Sequence, residues 1–471
     1  MSTEISADIC ILGAGSAGLS IAAGAAQFGR KVVLIEAGEM GGDCLNYGCV
    51  PSKALIAAAA RAHEVNTKFR LGVRSNGVEI DFSAVMGHAA NAIAAIAPND
   101  SQERFEKLGV KVIRARGEFV GPRTVKAGDE TVSARHFVIA TGSSPSAPPI
   151  PGLSDTPYLT NETVFALREI PSRFLIIGGG PIGVEMAQAF QRLGANVELF
   201  EALSILGRDD PKAVDVVRRS LHDDGVVLHE NCQIERIAKT SRGISVFLKD
   251  GAAIEGSHLL MATGRRSNFG GLGLAKAGVE TENGRLKLDR RLRTTNKRVY
   301  AAGDAAGGLQ FTHVAGDHAS TIVKNILFKW PTNRRDHLAP RVTYTDPELA
   351  SIGLVGSDAK DKHPGARTVE WTFEDNDRAQ TEGNISGFIE ANITRSGRIL
   401  GATIVGPHAG EQIGMWSFAI ANKLTIKAFT NYIAAYPTRN EISKRAGGAY
   451  YTPTLFSPRT KKLISLLSVF D

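Results

Sequence analysis

The stretch Asp8-Ile9-Cys10-Ile11-Leu12-Gly13-Ala14-Gly15-Ser16-Ala17-Gly18 decides the fold. Its apolar start reads as a buried strand. Its second half is G-x-G-x-x-G, and the Ala-rich run Leu19 to Phe28 that follows reads as a helix. A second strand, Lys31-Val32-Val33-Leu34-Ile35, ends in Glu36. A lone G-x-G-x-x-G says little. Between a strand and a helix, with an acid at the next strand's end, it is a dinucleotide fingerprint. The glycines let the backbone approach a pyrophosphate at the helix N-terminus, and the acid accepts from a ribose hydroxyl.

The unit occurs twice. Phe174-Leu175-Ile176-Ile177 leads into Gly178-Gly179-Gly180-Pro181-Ile182-Gly183, then a helix through Gln191 and the strand Asn196-Val197-Glu198-Leu199-Phe200, closed by Glu201. Glu36 lies 23 residues beyond Gly13, and Glu201 lies 23 beyond Gly178. The equal offsets predict two dinucleotide sites. Gly13, Gly15, Gly18 and Glu36 serve the first; Gly178, Gly180, Gly183 and Glu201 serve the second.

Between the units stands Gly41-Gly42-Asp43-Cys44-Leu45-Asn46-Tyr47-Gly48-Cys49-Val50-Pro51-Ser52-Lys53, followed by the helix-like Ala54 to Ala60. Pro51 suits a first helical turn. With Cys49 at that helix's N-terminus, the macrodipole favours its thiolate, and Lys53 adds a positive charge nearby. The spacing describes a dithiol that closes to a disulfide and reopens. The alternatives are a structural pair or a metal half-site, but no second Cys/His pair stands nearby to complete a zinc site. Two dinucleotides beside a dithiol define an electron path. A nicotinamide gives a hydride and a dithiol passes electrons by exchange, so FAD is expected in the first site and NAD(P)H in the second.

Bulk properties agree. The 471 residues allow two to four domains, and hydrophobic residues make up 43%. Of the four cysteines, Cys10 and Cys232 read as structural. So few cysteines suit a reducing compartment. The net charge of +7 is that of an Arg-rich surface or of a protein for anionic cofactors. No basic stripe is interleaved with aromatics, so nucleic acid is not an expected partner. No apolar run reaches the length of a membrane span. Met1 to Asp8 is acidic and leads into a strand, unlike a signal peptide, and the cytoplasm is the expected location.

Further strand ends fall at Phe137–Gly142, with Thr141 and Gly142, and at Leu259–Gly264. Their parallel placement reads as paired crossovers. Ser143 to Pro151, with four prolines, reads as a linker. Val299 to Asp304 is another strand end, with Gly303 in the turn and Asp304 placed to accept from a sugar-alcohol chain. Asp317 and His318 read as exposed helix positions. From about Pro340 the chain becomes a separate α+β domain, with strands at Val342–Thr345, Gly387–Ile393 and Leu400–Val405 and helices at Glu411–Lys423 and Thr438–Arg445. The tail, basic at Lys461-Lys462 and apolar beyond, reads as an interface helix.

With these motifs the chain resembles the flavin-dependent pyridine nucleotide–disulfide oxidoreductases, class I, over nearly its whole length. The family includes dihydrolipoamide dehydrogenase, glutathione reductase and mercuric reductase. The resemblance rests on Gly41–Lys53, Ala302-Gly303-Asp304 and Tyr344-Thr345-Asp346-Pro347-Glu348. It implies an α/β fold with two Rossmann-type domains and a C-terminal α+β dimerisation domain. The FAD domain is expected at 1–148 and 266–339, the NAD(P) domain at 149–265 and the dimerisation domain at 340–471. It implies a homodimer whose site is completed by the partner. Cys49 would be the flavin-side charge-transfer thiolate and Cys44 the interchange thiol. Lys53 would lie near the flavin's reactive nitrogen, paired with Glu185; otherwise Glu185 sits on a solvated helix face. Gly42, Thr141, Gly142, Gly264, Gly303 and Asp304 join the cofactor set. No resident metal is expected.

Glu201 favours NADH, since an acid repels a 2′-phosphate and Arg208 is the first basic residue after it. Where the family carries His-Pro-Thr-x-x-Glu, this chain reads Tyr436-Pro437-Thr438-Arg439-Asn440-Glu441. A phenol is a poor proton shuttle at neutral pH, and Glu441 lacks the imidazole it would orient. Mercuric reductase also carries Tyr there, but adds a C-terminal cysteine pair that this chain lacks. Tyr47, where many relatives have a small apolar residue, either lines the substrate approach or packs. The expected function is dihydrolipoamide-dehydrogenase-like exchange between NAD(H) and a small or protein-borne disulfide. The alternatives are a metal-ion reductase, an NADH:quinone or oxygen reductase, and a non-catalytic flavoprotein subunit.

Overall fold

The computed structural model describes residues 3–66, 71–241 and 243–470; Met1, Ser2 and Asp471 of the expected termini lie outside the described residues. The chain forms two compact units. One holds Met1–Ala58, Ile80–Gly178 and Ile234–Asp336; the other holds Ala59–Glu79, Gly179–Gln233 and His337–Asp471.

The first unit is built on a seven-stranded sheet. Thr3–Leu12 runs parallel to Val32–Glu36 on one side and to Glu130–Ile139 on the other. Lys111–Arg114 extends one edge in parallel, and Val299–Ala301 pairs parallel to Glu130–Ile139. Ile9, Cys10 and Ile11 are fully buried, as a parallel strand covered on both faces requires. The helix Ser16–Gln27 covers this sheet through Leu19, Ile21, Ala22 and Ala25. Burial pushes the Cys10 thiol far above its ordinary value, so it is a structural side chain.

The segment expected to be a linker is partly ordered as a strand. Ser143–Pro145 pairs antiparallel with Arg265–Ser267. Both crossover segments therefore meet at one ribbon, and Ser143 is buried there. Prolines in a short, two-stranded ribbon are tolerated because an edge needs fewer amide donors. Arg173–Ile177 and His258–Met261 form a parallel pair in the same unit.

In the second unit, Asn196–Phe200 pairs parallel with Val227–His229 beside the helix Pro181–Arg192. A five-stranded antiparallel sheet has the order Arg341–Thr343, Glu348–Gly353, Ile399–Gly406, Phe388–Ile393, Arg367–Thr372. The helix Ala409–Ala421 packs on it through fully buried Trp416. The Trp416 ring stacks on Phe429 at 4.0 Å, and its N–H donates to Ser443 Oγ at 3.0 Å. The helix expected at Thr438–Arg445 starts later and runs further, over Glu441–Leu455.

Candidate active site

The two glycine loops have the shapes that a pyrophosphate needs. Gly13 has φ +109°, and a Cβ there would sit 2.2 Å from the carbonyl oxygen of Ala140. A Cβ on Gly18 would sit 1.9 Å from the Gly13 oxygen. Those two glycines close the turn and pack helix on strand. The middle one, Gly15, meets nothing nearer than 4.0 Å, leaving room for a ligand against the backbone. The second loop repeats this division: a Cβ on Gly178 would lie 2.5 Å from the Ala262 oxygen, and one on Gly180 meets nothing within 4 Å. The residues present thus fit two dinucleotides.

The two acids are twins in geometry as well as in spacing. Glu36 accepts from the Ala14 amide at 2.5 Å and the Gly38 amide at 2.6 Å. Glu201 accepts from the Gly179 amide at 2.7 Å and the Leu203 amide at 3.0 Å. Each carboxylate braces its own glycine loop and stands at the strand end where a ribose diol would arrive.

The dithiol segment begins against the first loop. The Gly41 amide donates to the Ala14 oxygen at 3.0 Å. Gly42 has φ +61°, and a Cβ there would lie 2.8 Å from the Gly15 Cα, so only glycine allows this approach. A short helix, Gly42–Asn46, carries Cys44; an 18-residue helix, Cys49–Asn66, opens on Cys49. Cys49 thus occupies the helix N-terminus that favours a thiolate. Lys53 lies one turn on, half-buried.

Both cysteines are in the dithiol form. The Cys44 thiol is pushed well above its ordinary value, first by its hydrogen bond to the Cys49 sulfur and then by burial. Both effects keep the proton on Cys44. The Thr312 hydroxyl pulls the other way: its oxygen is 3.1 Å from Cys44 Sγ and 3.5 Å from Cys49 Sγ. Thr312 opens the helix Thr312–Val323 and carries no local sequence signal for this role.

Arg265, also missed in the sequence, holds the dithiol segment to the Asp304 turn. Its guanidinium lies 2.9 Å from Asp43 Oδ1 and donates to Ser143 Oγ at 2.7 Å, the Ser143 oxygen at 2.7 Å and Asn161 Oδ1 at 3.2 Å. Ser143 Oγ in turn donates to Asp304 Oδ2 at 2.5 Å. Asn161 Nδ2 donates to Asp43 Oδ1 at 2.9 Å and to the Tyr47 oxygen at 3.3 Å. One signal was available: Thr141-Gly142-Ser143 and Thr263-Gly264-Arg265 occupy matching places in the two repeats. Thr141 Oγ1 donates to the Asn268 carbonyl, and a Cβ on Gly142 or Gly264 meets nothing within 4 Å. Burial raises the Asp304 carboxyl above the ordinary carboxylate range, with Ser143 opposing.

His318 is not an exposed helix position. It is fully buried; its Nδ1 accepts from the Gly303 amide at 3.2 Å, and its Nε2 lies 3.2 Å from Asp336 Oδ1. An imidazole with Nδ1 as acceptor and Nε2–H donating fits both contacts. It holds the Gly303–Asp304 turn from behind. The Asp317 carboxylate is paired with Arg335.

In the second unit Glu185 is buried, which overturns a solvated helix face. Its Oε1 accepts from the Tyr344 amide at 3.0 Å. Gln188 exchanges two hydrogen bonds with the Asp346 backbone, at 2.7 and 2.9 Å, and Arg192 Nη1 lies 3.0 Å from Asp346 Oδ2. One helix face thus holds the Tyr344 amide and both the backbone and the acid of Asp346. Tyr436 is 71% exposed and donates to Asp377 Oδ2 at 3.0 Å. That hydrogen bond holds the phenol above its ordinary value, so Tyr436 keeps its proton. Glu441 begins the following helix, and Arg439 anchors the turn before it through Glu382.

The pyridine nucleotide-disulphide oxidoreductase family matches residues 7–319, and the dimerisation domain of the same family matches 339–446. The chain belongs to the class I pyridine nucleotide–disulfide oxidoreductases. A mercuric reductase of Streptomyces lividans is 33% identical over 94% of this chain and 96% of the relative. A dihydrolipoyl dehydrogenase of Chlamydia muridarum is 32% identical over 97% and 99%. Among solved structures, a Cu(II) complex of the HOCl-induced flavoprotein disulfide reductase RclA of Escherichia coli has a TM-score of 0.84 at 25% identity, covering 94% of this chain and 99% of that one. LpdA of Mycobacterium tuberculosis has a TM-score of 0.85 at 28% identity, covering 95% and 99%. The family is FAD-dependent and uses NAD(P), and the dimerisation domain supports a homodimer. Among the described residues no helix is long and apolar enough to cross a membrane.

Proposed function

We propose that the chain is an NADH-dependent FAD oxidoreductase of the dihydrolipoamide dehydrogenase kind, passing electrons to or from a disulfide through Cys44 and Cys49. The observation that carries this reading is the pair of sulfurs gathered on Thr312 Oγ1, with Cys49 at the first turn of a long helix. A bound flavin supplies the coupling between two-electron hydride transfer and thiol exchange. The protein's own part in the reductive direction is then a thiol relay. Cys44 Sγ attacks a substrate sulfur and the substrate's other sulfur leaves as a thiol. Cys49 Sγ then attacks Cys44 Sγ, the second substrate thiol leaves, and the Cys44–Cys49 disulfide re-forms, two electrons having passed to the substrate. Lys53 and Glu185 are proposed to steady and orient negative charge on the reduced cofactor. The FAD portion is assigned to 1–148 and 266–339, the NAD portion to 149–265 and the dimerisation portion to 340–471. The cytoplasm is the proposed compartment, since a cycling dithiol needs reducing surroundings.

A second reading, reduction of a thiolate-bound metal ion, is favoured by Tyr436. A phenol whose proton is committed to Asp377 supplies no base to Cys44, and thiolate transfer to a metal needs none. The test is a turnover panel of lipoamide, glutathione disulfide, mercuric ion, cupric ion and a quinone, each with NADH and NADPH. Lipoamide turnover with NADH sustains the first reading. Turnover of a metal ion alone replaces it with the second, and higher kcat/KM with NADPH removes the role given to Glu201. Anaerobic NADH titration reads the coupling directly. A long-wavelength thiolate–flavin band is expected, and its absence refutes the dithiol's part.

A further inference from the structure

The C-terminal helix Pro458–Leu467 has no buried residue. Leu463, Ile464, Leu466, Leu467 and Val469 are each more than half exposed, and Leu455 and Phe456 just before them are exposed as well. Leu463, Leu466 and Leu467 stand at i, i+3 and i+4, one stripe of the helix, while Lys461, Ser465 and Ser468 at i, i+4 and i+7 form the opposite face. Arg459 and Lys462 border the stripe at its start. From Ile442 to Phe470 the sequence holds five cations, Lys444, Arg445, Arg459, Lys461 and Lys462, and no acid. Among the described residues, none of Arg459, Lys461 and Lys462 has a carboxylate partner.

We propose that this helix lies in the surface of an anionic membrane, its leucine stripe among the lipid chains and its cations at the headgroups. The charge is complementary to acidic lipids, and a basic polar face beside an exposed apolar one is the pattern of an interfacial helix. A second copy of the chain fits the helix less well. The match to the family's dimerisation domain stops at 446, so the helix lies in the part of the 340–471 portion that the family model does not reach. A ten-residue helix, about 15 Å long, cannot by itself supply the ~800 Å² per partner of a stable interface. A two-fold contact there would also set Arg459, Lys461 and Lys462 against their own copies. The helix is too short to span, so attachment is peripheral and reversible.

The test uses the full-length, FAD-loaded protein in co-sedimentation with vesicles of phosphatidylcholine alone and of phosphatidylcholine mixed with phosphatidylglycerol. Binding is expected to the mixed vesicles and to fall as salt rises. Lys461→Gln with Lys462→Gln should weaken that binding about 30-fold. Leu463→Ser with Leu467→Ser should abolish it while the flavin spectrum and the oligomeric mass stay unchanged, which separates loss of docking from loss of fold. No partition of the native protein to anionic vesicles overturns the proposal, as does equal binding to neutral ones. A drop in oligomeric mass in the leucine variant assigns the helix to a second copy instead.

Discussion

Replacing Thr312 by Val keeps the side-chain shape and removes one hydroxyl, the oxygen that lies 3.1 Å from Cys44 Sγ and 3.5 Å from Cys49 Sγ. A hydrogen bond to a charged acceptor is worth about 1.5–3 kcal/mol. Thr312 is solvent-exposed and sulfur is a weak acceptor, so ~1.4 kcal/mol is the reasonable share. That corresponds to about one pKa unit. The sign follows from the donor: the hydroxyl donates to Cys44 and favours its thiolate, against the hydrogen bond with Cys49 and the burial that push the thiol up. Thr312→Val should therefore raise the Cys44 pKa further. Its alkylation rate at fixed pH below that value should fall about tenfold. The assay is iodoacetamide alkylation of the reduced, FAD-loaded protein across a pH series, with the Cys44 peptide quantified by mass spectrometry. Thr312→Ser should restore the native profile. A Val variant with a native flavin spectrum and an unshifted rate–pH curve would refute the reasoning.

Arg265→Leu should lower the thermal midpoint, because it leaves Asp43 and the half-buried Asp304, whose Oδ2 lies 3.9 Å from Arg265 Nε, without that cation. Partial exposure of Asp43 reduces the cost of a buried pair to about 2–3 kcal/mol, and differential scanning calorimetry reads it. His318→Leu strands the Gly303 amide behind the Asp304 turn, at about 1–3 kcal/mol. Faster FAD loss on gel filtration is the expected result, and native retention would exclude a positioning role. His136, on the strand Glu130–Ile139, is pulled down to about 4, chiefly by burial. The unfolded imidazole titrates near 6.5. Between those values the unfolded chain binds a proton that the folded chain does not, so stability falls as pH drops from about 6.5 toward 4. Urea midpoints at pH 7 and pH 5 should differ less in His136→Phe than in the native protein; an equal difference would assign the acid sensitivity elsewhere.

Local patterns carried much of this protein into view. Each strand–glycine–helix–strand unit is a run of neighbours in sequence, so Gly13, Gly18, Gly178 and the paired Glu36 and Glu201 were legible from spacing. Cys49 at a helix start was legible too, because Pro51 has its φ preset for a first helical turn and the alanines after it are strong helix formers. Family resemblance added Glu185 and the Tyr436 departure by position alone. Burial of Glu185 and the bond from Tyr436 to Asp377 came from contacts 59 to 159 residues apart in the chain.

What the sequence by itself determined is therefore the cofactor scaffold and the dithiol, since turn chemistry, periodicity and fixed offsets are local properties. What only the tertiary structure decided is who surrounds the sulfurs. Thr312 reaches Cys44 across 268 residues, and Arg265 reaches Asn161 across 104. His318 is buried behind Gly303 rather than exposed on its helix. No spacing rule encodes such meetings, because they arise where separate sheet crossovers converge, and convergence is set by packing of the whole unit.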